Sequence, residues 1–244
     1  MRGIGTVVNV LTVLFGTALG LTVGSRLPER LRSTVLSGVG LLTLVIGMQE
    51  AFETHNVVFP LVALIAGGAV GELLGIEERL ERLGERLRRR FERGPALEPA
   101  LEHVDEALAS GFVEGFVAAS LLFCVGPLTI LGSIQDGLGG PDHAQLLFVK
   151  SALDGLVSIV FAATLGWGVG FSALTIVAVQ GSLTLAASAA DAVLTVRMID
   201  EMTATGGVMI LGIGLRLLEL RRVRVASFLP ALVLAPVLVG LFAR

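Results

Sequence analysis

Ionisable side chains at the edge of a long apolar stretch are the first candidates for chemistry in this chain. Lys150 is the only lysine, and Asp154 follows it one helical turn later, with apolar sequence continuing to about residue 167. The spacing of four places both side chains on one helix face and permits an ion pair. A charge at the centre of a bilayer costs about 2.5 kcal/mol or more, which makes such residues functional candidates. We therefore interpret Lys150 and Asp154 as members of an ion or solute site.

Asn9 joins these two residues because its segment resembles theirs. Residues 8–24, shifted by 146, align without a gap with residues 154–170, and Asn9 falls on Gly155, beside Asp154. Both segments thus place a polar group at about the same depth. We predict that Asn9 and Asp154 are cation or solute ligands. The alternative is a structural hydrogen bond between helices that takes no part in transport.

A proline break is the second candidate feature. Pro127, after Gly126, removes a backbone donor and leaves the carbonyl near Phe123 without its usual partner. Freed backbone in a bilayer is tolerated where it is buried in protein or lines a wet cavity, and several transporters bind their substrates at such breaks near the midplane. Three polar residues follow, namely Thr129, Ser133 and Asp136. The alternative is an ordinary kink. Pro236 predicts a second break.

Four further polar residues lie within or beside apolar segments. Gln180 and Glu201 are added to the predicted substrate or ion site on the basis of their depth. Glu72 and Arg216 fall at matching positions of two segments and could pair as an inner gate. Alternatively, each extends to the membrane interface.

Enzyme and metal sites lack the required residue patterns. The chain has one cysteine and three scattered histidines, and it contains no Ser-His-Asp arrangement, HExxH motif or phosphate loop. We expect no enzymatic activity, metal or cofactor. The basic run near residue 88 is interleaved with leucine and glutamate on a helix and has no aromatic platform on which bases could stack, which argues against nucleic acid as a partner.

Composition predicts a membrane protein. The 244 residues are 54% hydrophobic and include 31 glycines, and the mean hydropathy is +0.85. Soluble domains average about 45–50% apolar residues and roughly 7% glycine. Eight segments approach the length of about 20 residues that a span needs: 4–24, 33–51, 57–76, 112–132, 146–167, 171–190, 204–220 and 226–243, of which the last is short and has two prolines.

The fold class that we predict is all-α, a polytopic transmembrane helix bundle of about eight spans. The similarity between segments predicts two parallel four-helix repeats, residues 1–134 and 146–244. A cytoplasmic amphipathic connector, residues 77–109, lies within the first repeat. Its apolar residues step by three or four along a basic helix. It could bind a partner or the anionic inner leaflet, or it could be a solvated connector.

Arginine-rich loops alternate with loops that carry mostly Asp, Glu and His, which predicts that the arginine-rich loops are cytoplasmic and that both termini lie outside. Small residues also recur every four positions, a pattern of close helix crossings. They would pack within the chain or form a homodimer through glycine-rich faces: Gly16, Gly20, Gly24, Gly67, Gly71, Gly75, Ala162, Gly166 and Gly170.

The chain resembles the YqgA-like family of bacterial membrane proteins. The resemblance rests on GFVAASLLFCVGPLTILGSIQDGL, KSALDG, LGWGVGFSA, VQGSLTL and EMTATGG, and it covers nearly the whole chain. It implies a multi-pass inner-membrane protein and brings no established activity, only the label of a sodium channel or pump. The matching motif residues are Asn9, Gly126, Pro127, Asp136, Lys150, Asp154, Gln180 and Glu201.

Two functional hypotheses follow. The first is a secondary transporter or channel for a small, Na⁺-like cation or a small polar solute, with a midplane site at broken helices that Lys150 occupies when no substrate is bound. The second is a membrane scaffold or regulatory protein that acts through its basic amphipathic helix. In both, the lipid bilayer is a partner.

Overall fold

The computed structural model describes residues 2–24, 28–91, 105–124, 126–139 and 143–242. These residues form eleven α-helices. They are α1 (Ile4–Gly24), α2 (Glu29–Ala51), α3 (Val58–Leu73), α4 (Ile76–Phe91), α5 (Asp105–Cys124), α6 (Pro127–Leu138), α7 (Gln145–Leu165), α8 (Gly168–Leu185), α9 (Ala187–Val193), α10 (Val196–Leu217) and α11 (Leu229–Phe242). A 3-10 turn, Val225–Phe228, precedes α11.

The all-α prediction is confirmed, because the described residues form helices and no strand. Six stretches are long and apolar enough to cross a membrane, and the number rises to eight if each of two bent pairs is one span. The bent pairs are α3 with the start of α4, at 55°, and α5 with α6, at 61°. The last predicted segment forms an apolar stretch, Val225–Phe242, that is long enough to span.

Small residues determine which helices lie closest. Helix α1 runs parallel to α7, with Gly16 against Gly155 and Gly20 against Ile159. A side chain at either glycine would overlap the carbonyl oxygen that it faces. Such close approach is what small residues permit in helix packing within lipid. Helix α2 runs antiparallel to α10, α3 antiparallel to α11, and α5 parallel to α8.

The two ends of the bundle differ in charge. One end is called here the acidic end. Its described loops and helix ends hold acidic residues, histidines and two arginines: Arg2, Glu53, His55, His143, Asp191, Arg197 and Asp200. At the other, the arginine end, the described loops and helix ends hold Arg30, Arg79, Arg216, Arg221, Arg222 and Arg224. The outer faces of the helices expose many large apolar side chains, among them Leu11, Phe15 and Leu156. A surface of this kind is suited to lipid.

Two expectations need correction. Helix α11 continues through Pro236, so the second predicted break is absent. The glycine faces proposed for a homodimer are used within the chain, because Gly16 and Gly20 pack on α7 while Gly67 and Gly71 pack on Ala231 and Ser227. The two-repeat division stays a prediction. Residues 92–104 of the predicted connector lie outside the described residues.

Candidate functional site

The predicted break between α5 and α6 is present. Helix α5 ends at Cys124, and Pro127 is the first residue of α6. Gly126 between them has φ of 118°, a conformation that residues with a side chain rarely adopt. The freed Phe123 carbonyl accepts a hydrogen bond from the Thr129 hydroxyl at 3.1 Å. Proline thus ends one helix and begins the next, and a threonine satisfies the carbonyl that the break exposes.

Ser133 extends this arrangement one turn further along α6. Its hydroxyl donates to the Thr129 carbonyl at 2.5 Å, and both side chains are fully buried. The predicted hydroxyl residues therefore support the broken backbone, since each is engaged with a backbone carbonyl. Of Pro127, the structure describes the backbone only.

Lys150, Asp154 and Asn9 form one buried cluster. The Lys150 ammonium is paired with Oδ2 of Asp154. The Asn9 amide donates to the same oxygen at 3.0 Å. Lys150 is 4% exposed, Asp154 7% and Asn9 0%. The sequence placed these three residues together, and the structure brings them into direct contact.

The cluster adjoins the helix break. The Lys150 ammonium lies 5.9 Å from the centre of the Phe123 ring, within the range of a cation–π interaction. Phe123 is also the residue whose carbonyl the break exposes. Charged groups and opened backbone thus meet at one place in the bundle.

The parallel packing of α1 and α7 determines this placement. Gly5 lies against Leu147 and Gly16 against Gly155 and Ser158, so Asn9 falls at the level of residues 150–154. Asn9 is five residues from the start of α1, a rise of about 7.5 Å at 1.5 Å per residue. Asn9 is therefore as far from the start of this 21-residue helix as from its middle, whereas Asp154 lies one residue from the middle of α7. The midplane position of the site stays a prediction.

Glu50 is a site residue that the sequence reasoning missed. A Cβ atom built on Gly126 would lie 2.8 Å from its Oε1 atom, so the carboxyl group packs directly on the break. Its Oε2 atom is buried without a hydrogen-bond partner, and the charge of Lys150 acts on the group. Glu50 comes one residue before the end of α2, and its sequence position resembles that of a loop acid such as Glu53. Only the fold shows that Glu50 packs on the helix break whereas Glu53 is exposed.

Gln180 lies at the level of Asn9 on a third helix. Helix α8 runs antiparallel to α1, with Gly170 against Thr17 and the Thr184 hydroxyl 3.5 Å from that of Thr6. Gln180 is fully buried, and both of its amide atoms lack a hydrogen-bond partner. The Asn9 Oδ1 atom is likewise buried and unpartnered. Buried polar groups are normally satisfied, which makes these atoms candidate contacts for a bound ion or solute.

Asp136 is engaged away from this cluster. Its Oδ2 atom accepts a hydrogen bond from the Gly5 backbone at 3.0 Å, and Oδ1 lies 3.6 Å from the His143 ring. Asp136 lies on α6, and its carboxylate beside the first turn of α1 stabilises the start of that helix. The geometry accounts for Asp136 as the cap of α1.

Glu201 is likewise engaged at the acidic end. It accepts hydrogen bonds from the Thr54 hydroxyl at 2.6 Å and from the backbone of His55 and Asn56 at 2.9 and 3.0 Å. These bonds fix the loop between α2 and α3 onto α10. We leave Asp136 and Glu201 out of the candidate site.

Glu72 and Arg216 do not pair with each other, so the predicted gate pair is wrong in its partners. Arg216 lies 3.2 Å from Glu77 and 3.3 Å from Glu114. Glu72 pairs with Arg224. The turn at Gly75 brings α4 back against the loop before α11, and this turn supplies Glu77 and Glu78 as the nearer partners. Both predicted residues remain within an ion-pair network at the arginine end.

A cavity of about 410 Å³ opens between α1, α6, α8 and α9 at the acidic end. Its lining includes Arg2, Thr6, Gly137, Thr184 and Ser188. Thr6 precedes Asn9 by one turn on the same helix. The cavity lining thus comes within one helical turn of Asn9.

Comparisons with known proteins point to a single family. The model of the family described as "Protein of unknown function (DUF554)" matches residues 4–240. "Uncharacterized membrane protein YdfK" of Bacillus subtilis (strain 168) is 28% identical over 96% of this chain and 95% of its own length. "Uncharacterized protein YqgA" of Escherichia coli (strain K12) is 31% identical over 95% of this chain and 94% of its own length. No solved structure matches.

Proposed function

Since the chain belongs to the DUF554 family of membrane proteins, whose description names no activity, we infer its function from the geometry of the site. We propose that the protein is a secondary transporter or channel for a small cation or a small polar solute. The observation that carries the proposal is the buried cluster of Asn9, Lys150 and Asp154 beside the helix break. We expect no enzymatic activity and no cofactor.

Burying an ion pair among membrane helices costs free energy, and this cost suggests a functional role for the pair. Each charge must leave water, and the attraction between the partners repays this only when the geometry is good. Lys150 is a flexible ammonium on a four-carbon stem, and it neutralises Asp154 while the site is empty. A cation that replaced this ammonium would find the Asp154 carboxylate and the free Asn9 carbonyl oxygen.

The surroundings supply a route to this site. The cavity at the acidic end reaches Thr6, and the next turn of α1 holds Asn9. At the far end, Glu72, Glu77 and Glu78 pair with arginines of α10 and of the loop before α11. In this proposal the ion-pair network, of which Glu72 and Arg216 are members, closes the path from the arginine end.

We place the protein in the bacterial inner membrane with the arginine end in the cytoplasm and both termini outside. Arginine-rich loops stay on the cytoplasmic side in most multi-pass proteins. The acidic end, with its cavity, then faces outward.

Charge movement tests the proposed activity. Purified protein in liposomes on a solid-supported membrane is exposed to steps of Na⁺, K⁺, H⁺, Mg²⁺ and small organic cations. A current elicited by a monovalent cation and absent from protein-free liposomes supports the proposal. Silence with every cation contradicts electrogenic cation transport, and cation steps followed with a pH indicator inside the liposomes then distinguish electroneutral exchange from the uptake of neutral polar solutes.

The scaffold alternative rests on α4. Arg82 and Arg86 on this helix are exposed, whereas Glu77 accepts the Ala226 backbone amide at 2.8 Å. One side of α4 is therefore docked on its own chain, and basic residues remain available to a partner or an anionic leaflet. Under this alternative, replacement of Arg82 and Arg86 by Gln would weaken binding to the partner or to the anionic leaflet, and the wild type itself would transport no cation.

A further inference from the structure

The polar cluster is one positive charge short. Asp154 and Glu50 each contribute a carboxyl group, and among the described residues Lys150 is the cation that acts on both. Lys150 is already paired with Asp154, while Oε2 of Glu50 is buried without a partner. A carboxylate in that position is unfavourable unless a positive charge or a proton balances it.

The surroundings of Glu50 favour a proton over a metal ion. Its carboxyl group packs on Gly126, at the start of the 12-residue helix α6, where the first turn carries partial positive charge. The charges that act on it are those of the Lys150 ammonium and of the exposed Glu53 carboxylate. A hard metal ion requires several oxygen ligands, whereas a proton needs only the carboxyl group itself.

We propose that Glu50 carries an exchangeable proton and that this proton and a monovalent cation alternate in the site. This inference rests on the proposed transport function and defines it as proton–cation exchange. With Glu50 protonated, the pair of Lys150 and Asp154 is neutral and complete. When the proton leaves to water at the acidic end, Lys150 is attracted by two carboxylates, and a monovalent cation can bind Asp154 and the free Asn9 oxygen.

Charge balance sets the stoichiometry. One proton lost from Glu50 leaves a single negative charge, and one monovalent cation restores neutrality. A divalent cation would leave an excess positive charge buried in the bundle, which is disfavoured. The exchange requires no other reactant, because the proton is released to water and returns from water.

The groups that face Glu50 are consistent with this role. The charge of Lys150 acts on it from α7, Gly126 of the helix break packs on its carboxyl group, and α10 meets the Glu50 backbone with Gly207. Glu53, on the loop after its own helix, is exposed and adds a negative charge nearby. Glu50 itself is only half-buried and lies one residue from the end of α2, so water can reach it.

Calorimetry of the purified full-length protein in detergent tests the inference. NaCl, KCl and methylammonium chloride are titrated in two buffers of different ionisation enthalpy, which gives the number of protons released per bound cation. The wild type should release about one proton per cation, with an affinity that rises up to about tenfold per pH unit where Glu50 titrates. Glu50→Gln should release none, whereas Glu50→Asp should keep the release. Glu53→Gln, the matched exposed control, should behave like the wild type.

Two results would overturn the inference in distinguishable ways. If a cation binds and drives current but the wild type releases no proton, or Glu50→Gln still releases one, the exchange role of Glu50 is wrong and cation transport stands. If none of the three cations binds and none drives a current, the proposed cation transport fails together with the inference.

Discussion

A lysine and an aspartate one turn apart would stabilise any helix slightly, but Lys150 and Asp154 are buried within a bundle of apolar helices. Their pairing neutralises two charges that would otherwise each be buried without a partner. In the proposed transport function, it also places an ammonium where a substrate cation would bind. The same contact would then have a structural role in the empty protein and would compete with the substrate in the working one.

Lys150→Met tests this competition. Removal of one partner leaves a buried charge without compensation, at a cost of about 3–5 kcal/mol. We expect a lower unfolding temperature in N-methyl-D-glucamine buffer, and partial recovery in NaCl, KCl or methylammonium chloride because a bound cation stabilises the folded state. Leu153→Met, on the exposed face of α7, is the matched control. Recovery with no cation would contradict a cation site at Asp154.

Individual site residues could be predicted from the sequence only where depth alone distinguished them. Asn9, Lys150 and Asp154 stand out because polar groups are rare in their segments, and they do meet. Glu50 gave no such signal, since it lies one residue from a helix end. Glu72 and Arg216 were paired by alignment, but the turn at Gly75 gives each a nearer partner.

The elements are positioned by small residues and by one break. Gly126 is constrained to glycine by its φ of 118°, whereas the Glu50 oxygen that a Cβ would meet at 2.8 Å is the end of a flexible side chain. The break fixes the direction of α6 and holds the Glu50 carboxyl group. Helix α6 thus connects the backbone conformation to the charged cluster.

Gly126→Ala should be destabilising and should disturb the site. Strained backbone of this kind costs about 1–3 kcal/mol. Gly38→Ala is the control, because Gly38 lies in a helix with open space around it, and the change should be neutral or stabilising by about 0.5–1 kcal/mol. Thermal unfolding of both purified variants provides the comparison. Equal stability of the two would show that the backbone at the break is not constrained as described.

The helical segments could be predicted well from hydropathy. The first predicted span, 4–24, agrees with α1 at both ends, because apolar runs of this length in lipid form helices that satisfy their own backbone. Pro236 was predicted to break its helix, yet α11 continues through it. A proline in sequence cannot distinguish a tolerated kink from a break. At Pro127 the preceding residue, Gly126, adopts a positive φ, and this conformation separates α5 from α6.

At the scale of the whole molecule, the separation of charge between the two ends determines how the protein would sit in a bilayer. The arginine end is also held by ion pairs that connect α3, α4 and α10 with the loop before α11. The acidic end holds the cavity. One end is thus joined by ion pairs, and the other holds a cavity whose lining includes Thr6, one turn from Asn9.

Cysteine labelling tests this orientation. In a Cys124→Ser background, which removes the only native thiol, Asn56→Cys marks the acidic end and Arg222→Cys the arginine end, both at exposed positions. A membrane-impermeant maleimide should label the first in intact spheroplasts and the second only after permeabilisation. The reverse pattern would show the opposite orientation.

The most direct test of the central claim compares Asp154→Asn with Asp191→Asn in cation uptake by liposomes, followed both as charge movement and, for electroneutral exchange, as a change of internal pH. Asp154 is the buried carboxylate that pairs with Lys150 and Asn9, whereas Asp191 is exposed on α9. We predict that Asp154→Asn loses the cation-driven signal while the folded protein is still recovered, and that Asp191→Asn keeps it. A wild-type signal that persists in folded Asp154→Asn would contradict the assignment of this cluster as the site.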